Sequence, residues 1–268
     1  NHVSGMDADE KRFLRDQALM GWEIVPGTAR LCAMNLLLHG IGRPTGDSLV
    51  RVGDALRSDP GIRVDVMAAN PPFGRKSSMT FTNDVDEEDK DEQIIVREDF
   101  WATTKNKQLN FLQHIKTMLK IGGRAAVVLP DNVLFEAGAG ETIRRRLLAE
   151  CDLHTILRLP TGIFYKQGVK ANVLFFDRKP AAADPWTKQT WVYDLRTNMH
   201  FTLKTKPLRA DDLADFVEVY SPDDRSRRVE SARFRCVTYE ELVARDKANL
   251  DITWLRDESL DDAASLPP

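Results

Sequence analysis

The chain has 268 residues, of which 42% are hydrophobic and 29% are charged, and its formal net charge is −3. These values are typical of a soluble globular protein with one large domain, or with one domain and an extension. They exclude a uniformly basic nucleic-acid-binding chain, and no apolar run approaches the ~18 residues of a membrane span.

The first 17 residues are polar and highly charged, and neither an initiator methionine nor a signal peptide is visible. We therefore expect a fragment of a longer, cytoplasmic protein. The three cysteines, Cys32, Cys151 and Cys236, lie far apart in apolar surroundings and match no zinc-ligand spacing. We expect no metal site, and we interpret all three as small buried hydrophobic residues in a reducing compartment.

A strand, an acidic residue and a helix follow in that order. Residues 18–25 are predicted to form a short strand with Glu23 near its end. Residues 28–39 have helical spacing, with an apolar face made of Ala29, Cys32, Ala33, Leu36 and Leu37. This order is typical of a nucleotide-binding α/β unit, in which a carboxylate at the strand end accepts hydrogen bonds from two ribose hydroxyls. The alternative is that Glu23 is an ordinary solvated carboxylate.

A second short strand is predicted for residues 51–56, RVGDAL, with Asp54 at its end. Asp47, in TGDSL, offers a similar Gly-Asp-small-Leu pattern and is a rival for the same role. We favour Asp54, because it follows β-branched residues and a short link leads from it to the next strand. Either aspartate could instead be a helix N-cap, which is a common role for an isolated Asp.

The stretch from 64 to 74, VDVMAANPPFG, is the centre of the sequence. Its apolar start predicts a buried strand, which must stop at Pro71 and Pro72 because proline lacks a backbone N–H and has a fixed φ. The strand therefore delivers the Asn70 amide, two rigid carbonyls and the Phe73 ring to its carboxyl end, where ligands bind in open α/β sheets. The alternative is a simple strand-ending turn.

Asn-Pro-Pro-Phe after an apolar strand resembles the catalytic motif of amino-methyltransferases that act on adenine in DNA. The chemistry of that reaction explains the residue types. The exocyclic amine of adenine is a poor nucleophile, and an amide oxygen (Asn70) and a backbone carbonyl (Pro71) can accept its two hydrogens and orient it toward a methyl donor. Phe73 would stack on a base flipped out of the duplex.

Residues 75–107 contain a long charged run, so we expect an exposed, mobile loop. Arg75 and Lys76 at its rim could hold phosphates beside a flipped base, or could be solvated surface residues. A helix over 107–119 should be closed by Gly122 and Gly123, and a buried strand is expected over 124–130.

The glycines of residues 137–140 resemble a phosphate loop, but the third glycine is missing, and we predict only a turn into a helix over 141–151. Arg144, Arg145 and Arg146 are expected on its solvated outer face, with an interface to DNA or a partner as the alternative. Antiparallel strands should follow over 154–159 and 171–177. The loop between them carries aromatic and basic residues that suit nucleic-acid contact, against the alternative of a plain hairpin loop: Phe164, Tyr165, Lys166 and Lys170.

Residues 180–185 form a small linker, residues 190–195 are predicted to be an added edge strand, and the remainder is expected to be mostly helical, with a capping box that starts at Thr238. We therefore divide the chain into a catalytic domain, residues 1–179, and a C-terminal extension, residues 180–268.

The stretch GWEIVPGTARLCAMNLLLHGI is similar to the corresponding stretch in modification subunits of type I restriction-modification systems. With the motifs above in order, the chain is identified as a member of that family. The resemblance implies an α/β fold, a Rossmann-like S-adenosylmethionine-dependent methyltransferase sheet with a small, mostly helical C-terminal extension. This sheet should be incomplete on its N-terminal side, because no first strand and no glycine-rich Asp-Pro-X-Cys-Gly-X-Gly loop precede residue 18.

The resemblance also implies roles for individual residues. Glu23 would bind the ribose of S-adenosylmethionine and Asp54 its adenine, with Asn70 also at the cofactor. The catalytic motif would comprise Asn70, Pro71, Pro72 and Phe73. The implied reaction is methyl transfer to N6 of a flipped adenine in DNA.

The implied partners are double-stranded DNA, a specificity subunit and a restriction (nuclease and translocase) subunit. We expect the isolated chain to be inactive, because half of the cofactor pocket would be missing. Two alternatives stay open, namely a protein-glutamine N5-methyltransferase and a truncated, non-catalytic assembly module.

Overall fold

The structure is a computed structural model that describes residues 2–73, 95–165 and 168–257. Most of the predicted charged loop, including Arg75 and Lys76, lies outside the described residues, as does Lys166. The chain divides into two compact units, residues 1–60 and residues 61–268. Among the described helices, none is both long enough and apolar enough to cross a membrane.

The first unit contains two helices and a parallel pair of short strands. Asp7 caps the first helix, since its side chain accepts hydrogen bonds from the backbone of residues 9 and 10. The second helix begins at a proline, which is well suited to the first helical turn. In chain order the elements are α1 (Ala8–Asp16), β1 (Gly21–Glu23), α2 (Pro26–Leu38) and β2 (Val50–Val52).

The predicted inward face of α2 is confirmed in part, since Ala29 is buried and Ala33 and Leu36 are half-buried, whereas Cys32 and Leu37 are exposed. Leu31, Met34 and Leu38 are 67%, 59% and 85% exposed. These three exposed residues lie outside the predicted face, so the helical spacing indicated the less exposed side of α2. Cys32 is exposed, contrary to expectation.

The second unit is built on a six-stranded mixed sheet with the strand order β3-β4-β6-β5-β7-β8. Strands β3, β4, β5 and β7 run parallel to one another, and β6 and β8 run antiparallel to their neighbours. The strands are β3 (Val64–Ala69), β4 (Leu119–Pro130), β5 (Cys151–Arg158), β6 (Ala171–Arg178), β7 (Gln189–Asp194) and β8 (Phe234–Thr238), and the helices are α3 (Lys107–Met118), α4 (Asn132–Phe135), α5 (Ala139–Glu150), α6 (Ala214–Tyr220) and α7 (Tyr239–Ala244).

Strand β3 lies at the edge of this sheet and is not the buried strand that the sequence predicts. It pairs with β4, and within the described residues no strand covers its other side. Val66 is consequently more than half exposed. The predicted position of the strand is nevertheless correct, because it ends at Ala69, immediately before Asn70 and the two prolines.

The prediction that Gly122 and Gly123 close α3 is wrong, because both residues lie inside β4. A Cβ atom on Gly123 would lie 2.9 Å from the Lys120 carbonyl oxygen and 3.1 Å from the carbonyl oxygens of Val64 and Asp65. Glycine is therefore required at this position, where the β3 carbonyls lie close to β4 and the register of the two strands shifts.

Alternating side chains of the central strands supply two separate cores. On β7, Val192 belongs to an aliphatic cluster with α3 and α5, while Trp191 and Tyr193 belong to an aromatic cluster with Phe216 of α6 and Phe234 of β8. Because successive side chains of a strand point to opposite faces, the two clusters cover opposite faces of the sheet.

Strand β7 is an interior strand, between β5 and β8, and not the edge strand that was predicted. The sequence analysis missed β8 altogether, because FRCVT is short and carries a charged residue. Residues 180–257 thus extend the same sheet, and the expected boundary at residue 179 falls inside the second compact unit. The capping box at Thr238 is confirmed.

Two further expectations about burial are wrong. Cys236 is only partly buried, so that Cys151 alone among the three cysteines is fully buried, and burial raises its thiol pKa to about 12. Arg144 is 1% exposed and does not lie on a solvated face. It precedes Leu148 by one helical turn and so shares the inward face of α5. Arg145 and Arg146 are exposed, as predicted.

Candidate active site

The carboxyl ends of the parallel strands β3, β4, β5 and β7 meet at one edge of the sheet in the second unit. Asn70, Pro71, Pro72 and Phe73 leave the sheet at this edge, directly after β3. Asn70 and Pro72 are exposed, Pro71 is buried and Phe73 is partly buried. The motif therefore presents an amide and an aromatic ring at the edge where ligands bind in such sheets.

The carbonyl oxygen of Pro72 is held by a side chain that the sequence analysis missed. Gln108, in the first turn of α3, donates from Nε2 to this oxygen at 3.0 Å and is itself buried. The start of α3 is fixed in turn by Asn106, whose Oδ1 accepts the backbone N–H groups of Gln108 and Leu109 at 3.0 and 3.2 Å. A glutamine near a helix start gives no distinctive sequence signal, because it is a common helix former.

A single carboxylate connects α3 to the end of β4. Glu136 Oε2 accepts hydrogen bonds from Asn106 Nδ2 at 2.6 Å and from Asn132 Nδ2 at 3.1 Å. The helix that bears Gln108 and the segment after β4 are thereby tied together beside the motif. An acidic residue bonded to two amides positions this backbone more firmly than either amide alone would.

Two of the predicted aromatic residues meet. The rings of Phe73 and Phe164 pack edge to face, with centroids 5.1 Å apart and an interplanar angle of 90°. Such edge-to-face pairs are favoured by the ring quadrupoles. The structure thus brings the loop between β5 and β6 onto the motif. Tyr165 is 96% exposed and Lys170 is also exposed, so both are accessible on that loop.

Arg196, which the sequence analysis did not single out, organises the same edge. Its guanidinium donates to both carboxylate oxygens of Asp131, at 2.7 and 2.8 Å, and to the Ala171 and Leu159 carbonyls at 2.7 and 2.9 Å. Asn172 Nδ2 donates to Asp131 at 2.8 Å. The ends of β4 and β5 and the start of β6 are therefore cross-linked by bidentate, charge-assisted hydrogen bonds.

A buried ion pair continues this network toward β7. Arg158 Nη1 lies 2.8 Å from Asp194 Oδ2, and Asp194 is fully buried. Burial alone would raise the pKa of Asp194, but hydrogen bonds from the backbone and side chain of Thr197 and the charge of Arg158 outweigh it, so the pKa lies below its usual range. The carboxylate stays ionised and rigidly held.

In the first unit, Glu23 ends β1 and Asp54 follows β2 by two residues. The strands are parallel and pair Glu23 with Val52, so both carboxylates lie at the carboxyl end of the pair. Asp47 precedes β2 and lies at its amino end. Asp54 is thus the aspartate that shares an end with Glu23.

The hydrogen bonds of these two acids leave acceptor capacity for a ligand. Glu23 Oε1 accepts the Val25 N–H at 2.8 Å, and Asp54 Oδ1 accepts the Leu56 N–H at 2.9 Å. Within the described part of the chain, the second oxygen of each carboxylate accepts no hydrogen bond. Two such acceptors after neighbouring parallel strands fit the hydroxyl and amino donors of an adenosine group.

Comparison with known proteins covers both units. The family model described as N-6 DNA Methylase matches residues 4–258. Over its full length the chain is 40% identical to the type I restriction enzyme EcoKI methylase subunit of Escherichia coli K12 and 41% identical to the StySPI methylase subunit of Salmonella potsdam. The matches cover 54% of each relative, so the chain spans about half the length of the curated relatives that it matches.

The fold is also shared with a solved structure. The crystal structure of the EcoKI M protein matches with a TM-score of 0.81 and 39% sequence identity, over 95% of this chain and 57% of that one. A modification subunit of a putative type I restriction enzyme from Vibrio vulnificus YJ016 matches with a TM-score of 0.71 and 26% identity, over 99% and 53% of the two chains.

Proposed function

Since the chain belongs to the N-6 DNA methylase family, we propose that the protein it forms part of transfers a methyl group from S-adenosylmethionine to the N6 amine of adenine in DNA, as the modification subunit of a type I restriction-modification system. The observation that carries this proposal is the Asn70–Phe73 motif at the carboxyl end of β3, with its ring packed on Phe164 and its backbone held by Gln108. Bound S-adenosylmethionine supplies the electrophilic methyl group.

Asn70 and Pro71 are proposed to prepare the amine for attack. The lone pair of the adenine amine is delocalised into the ring, and hydrogen bonds from its two N–H groups to Asn70 Oδ1 and the Pro71 carbonyl favour a more tetrahedral nitrogen. The same two oxygens would stabilise the positive charge that develops on this nitrogen as its bond to the methyl carbon forms and the sulfur–methyl bond breaks. The nitrogen would then lose one of its two hydrogens to water as a proton. Acceptors held in place by two prolines need little reorganisation, which is the condition for effective electrostatic catalysis.

Phe73 is proposed to hold the base after it leaves the duplex. A flipped base is usually stacked on aromatic or apolar side chains, which offset part of the cost of unstacking. The edge-to-face contact with Phe164 fixes the plane of the Phe73 ring and leaves the ring partly exposed. Tyr165 and Lys170, exposed on the loop that carries Phe164, are proposed to contact the DNA strand.

Glu23 and Asp54 are proposed to hold the ribose hydroxyls and the adenine amine of the cofactor, respectively. Their support is that both carboxylates lie at the carboxyl end of the β1–β2 pair and each has an oxygen to offer, whereas Asp47 lies at the other end. The isolated chain is proposed to lack activity, because no Asp-Pro-X-Cys-Gly-X-Gly pattern for the methionine end of the cofactor occurs in it.

Double-stranded DNA, a specificity subunit and a restriction subunit are the proposed partners. The support is that the relatives are methylase subunits of type I restriction enzymes. A chain of net charge −3 also suits an enzyme whose choice of DNA sequence depends on another subunit.

The test uses the full-length protein with the subunits that co-purify with it. Methyl transfer from labelled S-adenosylmethionine is measured to adenine-containing DNA and to a glutamine-containing peptide. We expect transfer to DNA only, a loss of ~10²-fold in kcat for Asn70→Ala, and a smaller loss for Phe73→Tyr than for Phe73→Ala, since tyrosine keeps the aromatic face.

Transfer to the peptide and not to DNA would replace this proposal with the protein-glutamine alternative. Full activity in Asn70→Ala would remove the motif from the mechanism. If the assembled complex transfers no methyl group to any acceptor, the chain would be an assembly module.

A further inference from the structure

Two loops of the second unit are in backbone contact beside the motif. A Cβ atom on Gly162 would lie 2.0 Å from the carbonyl oxygen of Phe201, and the φ of Gly162 is +83°. Both facts restrict the position to glycine. The segment over residues 160–165 and the segment over residues 195–210 are therefore in close contact, and we call them the paired loops.

A continuous series of contacts connects the paired loops to the motif. Phe73 packs on Phe164, two residues from Gly162. Gly162 abuts Phe201, and Lys206 Nζ lies 5.3 Å from the centroid of the Phe201 ring. Met199 belongs to the same apolar cluster as Phe73 and Phe164. The lysines of the second segment are thus connected to the Phe73 ring of the motif through direct packing contacts.

The turn that bears these cations is ordered by its own hydrogen bonds. Thr202 Oγ1 accepts the backbone N–H groups of Thr205 and Lys206 at 3.1 and 2.8 Å, and Thr202 N donates to the Lys206 carbonyl at 2.9 Å. Lys204 lies at the tip of this closed turn. The lysines are therefore presented by a defined backbone, which lowers the entropic cost of binding a ligand.

The charge of the paired loops is of one sign. Residues 160–165 and 195–210 contain no aspartate or glutamate, although the whole chain has a net charge of −3. Lys204 and Lys206 are exposed, and neither forms an ion pair within the part of the chain that the structure describes. Arg209 is also exposed, but Asp211 and Asp212 follow it, and its backbone N–H donates to Asp212 Oδ2 at 2.8 Å. The two exposed lysines therefore make a local site of positive potential, which suits a polyanion.

We propose that Lys204 and Lys206 bind backbone phosphates of DNA next to the flipped base, an inference that rests on the proposed function. Phosphate contacts fix the register and orientation of a duplex without reading its sequence. A duplex from which one base is flipped out must be held on both sides of that base. The paired loops lie beside Phe73, the residue proposed to stack on it. The alternative polyanion is an acidic surface of a partner protein. DNA is favoured because its phosphates must lie near the flipped base, whereas a partner protein need not contact this side of the motif.

The test compares charge-removing variants of the full-length protein in its assembled complex. Lys204→Gln/Lys206→Gln keeps long side chains at both positions, so the stem of residue 206 can still cover Phe201. Lys188→Gln is the matched control, because Lys188 is exposed, has no ion pair among the described residues and lies before β7, at the opposite edge of the sheet.

DNA affinity is measured by fluorescence anisotropy over a range of salt concentrations. Removal of one lysine–phosphate interaction should reduce the slope of log K against log salt by about 0.9, hence by about 1.8 in the double variant, with about a tenfold loss of affinity at low salt. The control should retain the slope and the affinity of the parent protein. S-adenosylmethionine binding should be unchanged in all three proteins.

An unchanged slope and affinity in the double variant of a protein that binds and methylates DNA would overturn this inference and leave the proposed function intact. Loss of a co-purifying subunit with unchanged DNA affinity would also overturn it, in favour of an acidic protein partner. A parent protein that neither binds nor methylates DNA would overturn the proposed function itself.

Discussion

Pro72 contributes a backbone carbonyl to the site, and Gln108 determines the environment of that carbonyl. A side-chain substitution cannot remove the backbone carbonyl of Pro72. Its contribution to activity can therefore be tested only through Gln108, the residue that donates to it. The hydrogen bond is 3.0 Å long and its donor is buried. Loss of this hydrogen bond would release the Pro72 carbonyl from its fixed position, and the neighbouring Asn70 and Pro71 would share the resulting shift.

Gln108→Met should lower kcat for DNA methylation about tenfold, equivalent to ~1.4 kcal/mol of transition-state stabilisation, and leave the KM for S-adenosylmethionine unchanged. The physical reason is that methionine has a similar volume but cannot donate to the Pro72 carbonyl. Steady-state kinetics of the full-length protein measure both constants.

Gln113→Met is the matched control. Gln113 is also buried on α3 and also bonds to backbone, but it bonds to Ala102, away from the motif. It should reduce stability without reducing kcat. Equal kinetic effects of the two variants would show that Gln108 acts only through the folding of α3.

At the scale of an element, α5 shows how one helix places three consecutive arginines in different surroundings. Arg144 donates to the carbonyls of Val133, Lys247 and Ala248 at 3.0, 2.6 and 3.1 Å. Burial lowers its pKa to about 10, so it remains protonated at neutral pH. Arg146 on the same helix pairs with Glu150 in solvent. The buried guanidinium therefore joins the C-terminal segment to the sheet domain.

Arg144→Met should destabilise the protein by about 3–5 kcal/mol, because three carbonyls lose their donor in a buried site. Arg146→Met should change the stability by less than about 0.5 kcal/mol, since exposed ion pairs contribute little. Urea unfolding of the full-length protein, followed by tryptophan fluorescence, measures both. Similar values for the two variants would contradict the buried role of Arg144.

At the scale of the whole molecule, acid stability depends on a cluster at the other edge of the sheet. Arg225 bridges Asp152 and Asp177, at 3.1 and 2.5 Å, and His154 Nε2 and Lys179 Nζ each lie 3.6 Å from Asp177. Burial opposes the charge of Asp177, but the nearby His154 imidazole and the hydrogen bond from Arg225 outweigh it and hold the Asp177 pKa well below its usual range. Folding thus favours the ionised carboxylate.

The sign of the resulting pH dependence follows from linkage. The stabilisation from Asp177 is complete above the pKa of an unfolded aspartate, about 3.9, and is lost as the pH falls through the lower folded pKa. Asp177→Asn should therefore cost about 1–3 kcal/mol at pH 7, allowing for solvent screening of the partly exposed Arg225. The difference from the parent protein should shrink below about pH 4.

Urea unfolding of the full-length protein at a series of pH values measures this difference. Asp223→Asn is the control, because Asp223 is exposed and forms no ion pair within the described residues. A difference between Asp177→Asn and the parent protein that stays constant down to pH 2 would show that the carboxylate charge contributes nothing.

The sequence by itself determined the features that depend on local backbone chemistry. The two prolines end β3 immediately after Ala69, and the Thr238 capping box starts α7. The order of acid, motif and aromatic loop also pointed to the family. These features can be predicted from the sequence because each depends on residues a few positions apart. The steric and hydrogen-bonding limits of such residues are the same in any fold.

Only the tertiary structure decided which distant residues meet. Gln108 and Pro72 are 36 residues apart, and Arg144 and Ala248 are 104 apart. Position 162 must be glycine because a side chain there would collide with the Phe201 carbonyl. Residues 234–238 form β8 because they hydrogen-bond to β7. Such contacts depend on the packing of whole elements against one another, and propensity and periodicity carry no information about which partner an exposed edge or a polar side chain will find.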